Sequence, residues 1–306
     1  LVIIGGGFIG VEFADECIKR GLDVTIVELL PHCLQLVCPE DLCIRVENQL
    51  QMRGVRVITG KKVTSIGGDG KVEYVELEGG EKLKADIVLI AIGTKPDTEL
   101  AQKAGLEIGE QKGISVDEYM RTSDPDISAA GDCAEKYSFF TGKPTGLRLA
   151  SIAAREGKIA AANIIVPKWR NEGTLSVFAT VIGDLAIGVC GLTEDQAKKE
   201  GFNTIVGESI GMDRHPAIMP GAREVNVKLV FDRKSGKMIG GSVCCATTAG
   251  EIANLLAATI VSGMRIEELA ILPMGTHPAL TASPLTTHIT EAACQVLSKA
   301  SAGIRL

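Results

Sequence analysis

The residues with the clearest chemical use come first in the chain. Gly5, Gly7 and Gly10 have the spacing GxGxxG, directly after the apolar run Val2 to Ile4. In a strand, turn and helix unit the three glycines serve, in order, a tight turn, close approach of a diphosphate to the backbone, and close packing of helix on strand. The helix that follows would aim its first amides, those of Phe8, Ile9 and Gly10, and the positive end of its dipole at the phosphates. Glu28 stands 18 residues beyond Gly10, where its carboxylate can accept hydrogen bonds from an adenosine ribose. A carboxylate there repels a 2′-phosphate, so NAD(H) is expected over NADP(H), while His32 and Lys19 are cations close enough in sequence to leave NADP(H) open. Gly5, Gly7, Phe8, Ile9, Gly10 and Glu28 are the candidate dinucleotide contacts.

Cysteines offer a second chemistry. Cys33, Cys38 and Cys43 are five apart, with His32 adjacent. That spacing is not the CxxC clip of a zinc site, and Pro39 interrupts the local helix, so these are read as unpaired thiols and no metal is expected. Cys244 and Cys245, being neighbours on a strand, point to opposite faces and are read as packing residues.

The elements that must hold these residues can be traced from periodicity. Ile9, Phe13 and Cys17 lie four apart and predict one helix face, and Gly21 ends that helix. Val24 to Val27 is a second strand; Leu42, Val46 and Leu50 mark a helix closed by Gly54; Val55 to Ile58 is a third strand. Glycines punctuate residues 61 to 84 and predict antiparallel hairpins, and the unbroken run Ile87 to Ile92 predicts a parallel strand buried on both faces. Together these form a doubly wound α/β unit over residues 1–92. Residues 93–168 are mixed, with a turn at Thr122 to Asp126, a strand-like Ile127 to Ala130 and an alanine-rich helix from Leu149 to Ile164. Residues 169–306 read as an α+β domain, with an antiparallel hairpin around Val225 to Phe231 and helices lined by Ile252, Leu255, Leu256 and Ile260, and by Ile289, Ala292, Ala293, Val296 and Leu297.

Composition bounds the partners. The 306 residues are 45% apolar and 23% charged, with a net charge of -6, which gives no electrostatic reason to expect nucleic acid or an anionic membrane. The longest apolar runs fall short of the roughly 20 residues that span a bilayer. Nine cysteines in a chain of this length, an odd count, point to a reducing and hence cytoplasmic compartment. Leu1 opens directly on an apolar strand, so the chain is expected to be a fragment.

Three motifs in collinear order carry a resemblance to a known family. VIIGGGFIGVEFA (Val2 to Ala14), VLIAIGTKPDT (Val88 to Thr98) and TSDPDISAAGDCAE (Thr122 to Glu135) resemble the nucleotide motif, the exit from the NAD domain and the second flavin motif of the flavin-dependent pyridine nucleotide-disulfide oxidoreductases. Asp97 stands where asparagine is more usual. The resemblance implies a Rossmann-like NAD-binding domain, the remnant of a second, flavin-binding Rossmann-like domain, and a C-terminal α+β dimerisation domain. It adds Gly93 to the NAD contacts. It makes Asp132, after Gly131, the residue that accepts hydrogen bonds from the flavin ribityl chain. LRLASIAAREGKIAAANI, Leu147 to Ile164, is similar to the helix whose N-terminus faces the flavin ring, with Leu149 and Ala150 as candidate contacts.

Two branches of the family are represented in the last third. HPAIMPGAREVNVKLVFDRKSGKMIGG, His215 to Gly241, resembles the NADH oxidase and coenzyme A-disulfide reductase branch, whereas THPALTASP, Thr276 to Pro284, is similar to the His-Pro element of lipoamide dehydrogenases. The second likeness makes His277 a candidate acid-base residue, although the glutamate that orients this histidine in the family is replaced by Ala282. The oxidase branch's tyrosine is also missing, Tyr137 being the last in the sequence. The family's first flavin loop and its redox cysteine precede the NAD domain and are not among these residues, so FAD binding could be lost with that half. The expected whole protein passes hydride from NADH to FAD and on to oxygen or a small-molecule disulfide, as a homodimer. A dihydrolipoamide dehydrogenase relative and a non-catalytic dimeric NAD(H)-binding module are the alternatives.

Overall fold

The computed structural model describes residues 1–245 and 247–301. They form two compact units, one of residues 1–92 with 177 onward, the other of residues 93–176. In the first, β1 (Val2–Ile4) leads into α1 (Phe8–Lys19), β2 (Thr25–Val27), α2 (Glu40–Met52) and β3 (Arg56–Ile58). The hairpin strands β4 (Val63–Gly67), β5 (Tyr74–Leu77) and β6 (Lys82–Lys84) follow, and then β7 (Val88–Ile90). β1, β2, β3 and β7 make one parallel sheet in the order β3-β2-β1-β7, with Ile3 beside Ile26 and Leu89. Alternation sends Val2 and Val27 to one face, where Val75, Leu77 and Leu83 of the antiparallel sheet cover them. Ile3 and Ile26 go to the other, onto Val11 and Ala14 of α1 and Val46 and Leu50 of α2. The parallel sheet is thereby closed on both sides, as its apolar strands require.

Two expectations are corrected here. Helix α1 buries Gly10, Val11, Ala14 and Asp15, whereas Ile9 and Phe13 are about half exposed at 49% and 51%. Small residues win the inner face because the helix must ride close to β1, and bulky side chains at 9 and 13 would hold it off. The run Ile87 to Ile92 is not buried throughout: Val88 and Leu89 pack into the two cores, but Ile87, Ile90 and Ile92 are exposed. β7 is the edge of the sheet, so neighbours cover it on fewer sides than β1.

The second unit holds α3 (Glu99–Lys103), the two-residue strands β8 (Lys136–Tyr137) and β9 (Pro144–Thr145), and α4 (Ala150–Ala162) around a core of Ile114, Met120, Ala134 and Ile159. Residues 127–130 do not form the expected strand and make a single bridge, Arg121 with Ser128. Thr122 Oγ1 donates to the Ile127 carbonyl at 2.9 Å and Asp124 accepts from the Asp126 amide at 2.9 Å. Such local side-chain bonds compete with a ladder.

The remainder of the first unit comprises β10 (Val177–Ile182), β11 (Leu185–Gly191), α5 (Glu194–Lys199), β12 (Thr204–Met212), β13 (Glu224–Asp232), β14 (Met238–Cys245), α6 (Ala249–Val261), α7 (Ile266–Ala270) and α8 (His288–Ser301). Its strands form one antiparallel sheet in the order β10-β11-β14-β13-β12. The expected hairpin is β13 with β14, and the expected helices are α6 and α8; Leu256, Ile260, Ala292 and Val296 are buried. Strand β13 is covered on both faces. Its polar residues meet α2, Lys228 lying 3.7 Å from Asp41 and Glu224 3.8 Å from Arg45. A seam along α1 binds the same sheet: Phe8 packs edge-on against Phe178 with centroids 4.2 Å apart. One turn on, Glu12 accepts from Thr180 Oγ1 at 2.7 Å, and Asp15 accepts from the Gly183 amide at 3.2 Å.

Candidate coenzyme-binding site

The turn between β1 and α1 is built for a backbone that must come close to something else. Gly5 has φ +107°, in the region open to glycine, and a Cβ there would sit 2.3 Å from the Ala91 carbonyl oxygen. A Cβ on Gly10 would sit 2.0 Å from the Gly5 oxygen, so the helix start is locked against the turn. Gly7 differs from both: its φ is -73° and nothing lies within 4 Å of where a Cβ would be. The open side of the loop is therefore at Gly7, the N-cap of α1. No side chain caps that helix and no acidic residue occupies its first turn, so the amides of Phe8, Ile9 and Gly10 are left for an outside acceptor. Phe8 presents only its amide to the open side of the loop, since its ring is engaged by Phe178.

Glu28 stands beside the loop, half-buried, and is aimed by the backbone. One carboxylate oxygen accepts from the Gly6 amide at 2.5 Å and the other from the Leu30 amide at 2.7 Å. Each oxygen keeps a further lone pair for a ligand hydroxyl. Gly6 itself is confined, because a Cβ there would meet Cys33 Sγ at 2.5 Å. Two basic residues near Glu28 in the sequence already have acidic neighbours. His32 lies between Glu47 at 3.2 Å and Glu40 at 3.6 Å, and Lys19 is bound to Asp15 and Glu16 near the far end of α1.

In the second unit the sequence-predicted flavin residues come together. Gly131 has φ +81°, a Cβ there would sit 3.4 Å from Ala153 Cβ of α4, and the Asp132 carbonyl accepts from Arg148 Nε at 3.3 Å. The Asp132 carboxylate is exposed and has no partner among the described residues. Leu149 is the N-cap of α4, which begins at Ala150 without a capping side chain or an acidic first turn. Gly93, with φ +93° and open space around it, is the first residue of this unit.

Sequence reasoning missed the residues beneath this turn. Lys136 and Glu156 are fully buried and 2.8 Å apart. The signal was present, because Ile152, Glu156 and Ile159 share the buried face of α4, and a carboxylate on an apolar stripe calls for a buried partner. Glu135 is likewise buried and accepts from the Gln111 and Gly113 amides at 2.7 and 2.9 Å.

The comparisons with known proteins decide the family. Residues 1–157 match Pyridine nucleotide-disulphide oxidoreductase, and residues 177–287 match Pyridine nucleotide-disulphide oxidoreductase, dimerisation domain. The chain belongs to the pyridine nucleotide-disulphide oxidoreductase family. Among the curated relatives of this family member, an NADH oxidase of Methanocaldococcus jannaschii is 34% identical over 88% of the chain and 59% of its own length. An NAD(P)H sulfur oxidoreductase (CoA-dependent) of Pyrococcus furiosus is 34% identical over 91% of the chain and 62% of its own length. The structure of a NAD-dependent persulfide reductase from A. fulgidus superposes with a TM-score of 0.92 at 31% identity, covering 98% of this chain and 55% of that one. The water-forming NADH oxidase from Lactobacillus brevis bound to NADH gives 0.91 at 27% identity, covering 99% and 66%. The chain spans less than two thirds of the length of these relatives.

In this member of the pyridine nucleotide-disulphide oxidoreductase family, His277 lies apart from the glycine loop, on an exposed segment. Its Nδ1 accepts from the Ala279 amide at 3.2 Å, Pro278 accepts from the His215 amide, and no carboxylate pairs with His277 among the described residues. Ala282 is buried nearby in sequence. Cys33, Cys38 and Cys43 lie in the core between α1, α2 and the sheet. Burial, with Glu47 and Glu28 adding to it, pushes the Cys33 thiol up; contact with Cys43 and burial push Cys38 up. The Cys33 and Cys38 thiols therefore stay protonated and are poor nucleophiles. Among the described residues no three His, Cys, Asp or Glu side chains gather as metal ligands, and no helix is long and apolar enough to cross a membrane.

Proposed function

We propose that this chain carries the NAD(H) site, part of the FAD site and the dimer-forming sheet of a flavin-dependent NADH oxidase or NAD(P)H:disulfide reductase. The names of the two curated relatives support that pairing of activities. In this reading residues 1–92 bind the nicotinamide coenzyme, 93–168 contact the flavin, and 169–306 form the interface of a homodimer. The observation that carries it is the loop itself, open at Gly7, closed at Gly5 and Gly10, with Glu28 pinned by two amides.

The residues fit both cofactors. The free amides of Phe8, Ile9 and Gly10 would receive the diphosphate, and Glu28 would hold the adenosine ribose. Asp132 has a carboxylate without a partner among the described residues, which would suit ribityl hydroxyls, and Leu149 and Ala150 offer the uncapped start of α4. That start would place partial positive charge at the flavin ring. The chemistry supplied when both are bound is hydride transfer from NADH to flavin and delivery of two electrons to oxygen or a small-molecule disulfide. His277 would serve as the proton-exchanging group for an acceptor thiol once its Nδ1 is released from the Ala279 amide, because that bond keeps the neutral ring's one proton on Nε2. Nine unpaired cysteines support a reducing, cytoplasmic compartment.

Titration calorimetry of the folded chain with NADH and NADPH tests the reading. NADH is expected to bind more tightly, and Glu28→Gln should weaken it about tenfold, the worth of a charged hydrogen bond. Absence of heat with both coenzymes would overturn it.

A further inference from the structure

Lys136 and Glu156 are buried to 1% exposure, in a unit whose core is otherwise apolar, with Ile114, Met120, Ala134 and Ile159. An ion pair removed from water is a weak argument for stability, since an apolar pair of similar volume often serves as well. Its geometry suggests another use. Glu156 Oε2 accepts from the Gly131 amide at 2.9 Å and from Lys136 Nζ at 2.8 Å. Lys136 Nζ also donates to the Gly131 carbonyl and to the Ala134 carbonyl. Both polar groups of Gly131 are therefore held, its amide by the carboxylate and its carbonyl by the ammonium. Gly131 is the left-handed residue that turns the chain immediately before Asp132.

We propose that Lys136 and Glu156 are positioning residues that clamp the Gly131 peptide groups and so fix the direction in which Asp132 presents its carboxylate to a polyhydroxylated ligand chain. The identity of that ligand as the ribityl chain of FAD rests on the function proposed above. The clamp itself does not. It has a polarity: the acid must face the amide and the base the carbonyl, so opposite charges alone are not sufficient.

Two variants separate clamp from filler. Lys136→Met with Glu156→Leu keeps the volume and removes the charges, and Lys136→Glu with Glu156→Lys keeps the charges and reverses them. Amide hydrogen exchange of the 306-residue chain, without cofactor, is the first readout. In the unaltered chain the Gly131 amide should be protected like the core of α4, and in both variants it should exchange about a hundredfold faster while the melting temperature of the apolar variant is retained. A Gly131 amide that exchanges freely in the unaltered chain, or one that stays protected in the reversed pair, overturns the clamp. The second readout is FAD retention and the flavin absorption band in the flavin-loaded protein, beside Asp132→Asn. Loss of FAD in Asp132→Asn and in both pair variants is expected. Loss in Asp132→Asn alone overturns the positioning role, whereas no loss in Asp132→Asn overturns the reading of Asp132 and leaves the clamp to be judged by exchange.

Discussion

Two glycines of the loop are small for different reasons, and substitution separates them. A methyl group at Gly10 would meet the Gly5 oxygen at 2.0 Å, inside any contact distance, so Gly10→Ala should cost about 3 kcal/mol or more and lower the melting temperature by several degrees. A methyl group at Gly7 meets nothing within 4 Å and asks for no unusual φ. Gly7→Ala should melt with the unaltered chain, yet lose about tenfold or more in NADH affinity, because the methyl projects where the proposed site would receive the diphosphate. Differential scanning fluorimetry and calorimetry read the two effects independently. The spacing made both glycines visible, but it could not rank them, since the difference lies in which neighbour each one faces. The place of Glu28 beside the loop was legible from its offset; the two amides that aim it come from Gly6 and Leu30 and follow only from the folded path.

At the scale of elements, α1 is defined as much by what it is stitched to as by its own pattern. Asp15 is buried on it and is held by Lys19, Arg53 and the Gly183 amide. Burial alone would raise its pKa, but the Lys19 hydrogen bond, the Gly183 amide and the charge of Arg53 outweigh that and leave it below the usual 3.8. A lowered folded value means that the carboxylate stabilises the fold above its unfolded pKa and that this stability drains away as pH falls below 3.8 toward the folded value. Asp15→Asn should therefore cost about 2 kcal/mol at neutral pH and show a flatter loss of stability below about pH 4, measured by denaturant melts across pH. The strand, helix and hairpin order was readable because glycines and apolar periods mark it. The buried face of α1 was not, because Ile9 and Phe13 dominate a hydrophobicity count although the inner face selects for small size. Likewise Ile127 to Ala130 has strand composition, and Thr122 and Asp124 claim its backbone first.

For the molecule as a whole, the family domains at residues 1–157 and 177–287 were foreshadowed by motifs, whereas the folding of residues 177 onward onto 1–92 as one unit was not. That docking rests on Phe8 with Phe178, Glu12 with Thr180 and Asp41 with Lys228, pairs more than a hundred residues apart that no local period connects. Burial of the thiols is a further property of the whole fold. Cys33, Cys38, Cys43, Cys190, Cys244 and Cys245 are buried, and burial pushes Cys190 up to about 12. A thiol reagent at about pH 8 should modify no more than Cys17, Cys133 and Cys294 rapidly, and the other six only after denaturant is added. Mass spectrometry of the labelled peptides identifies the fast sites.

The seam from Phe8 through Glu12 to Asp15 gives α1 two masters. Its first turn has the amides proposed for a coenzyme, and its flank is fastened at three successive levels to β10 and the turn that follows it. A rigid rod gripped along its side cannot shift at its tip without dragging its moorings. A ligand seated in the loop, as proposed above, would therefore be felt at Phe178 and Thr180, far along the chain from the glycines it touches.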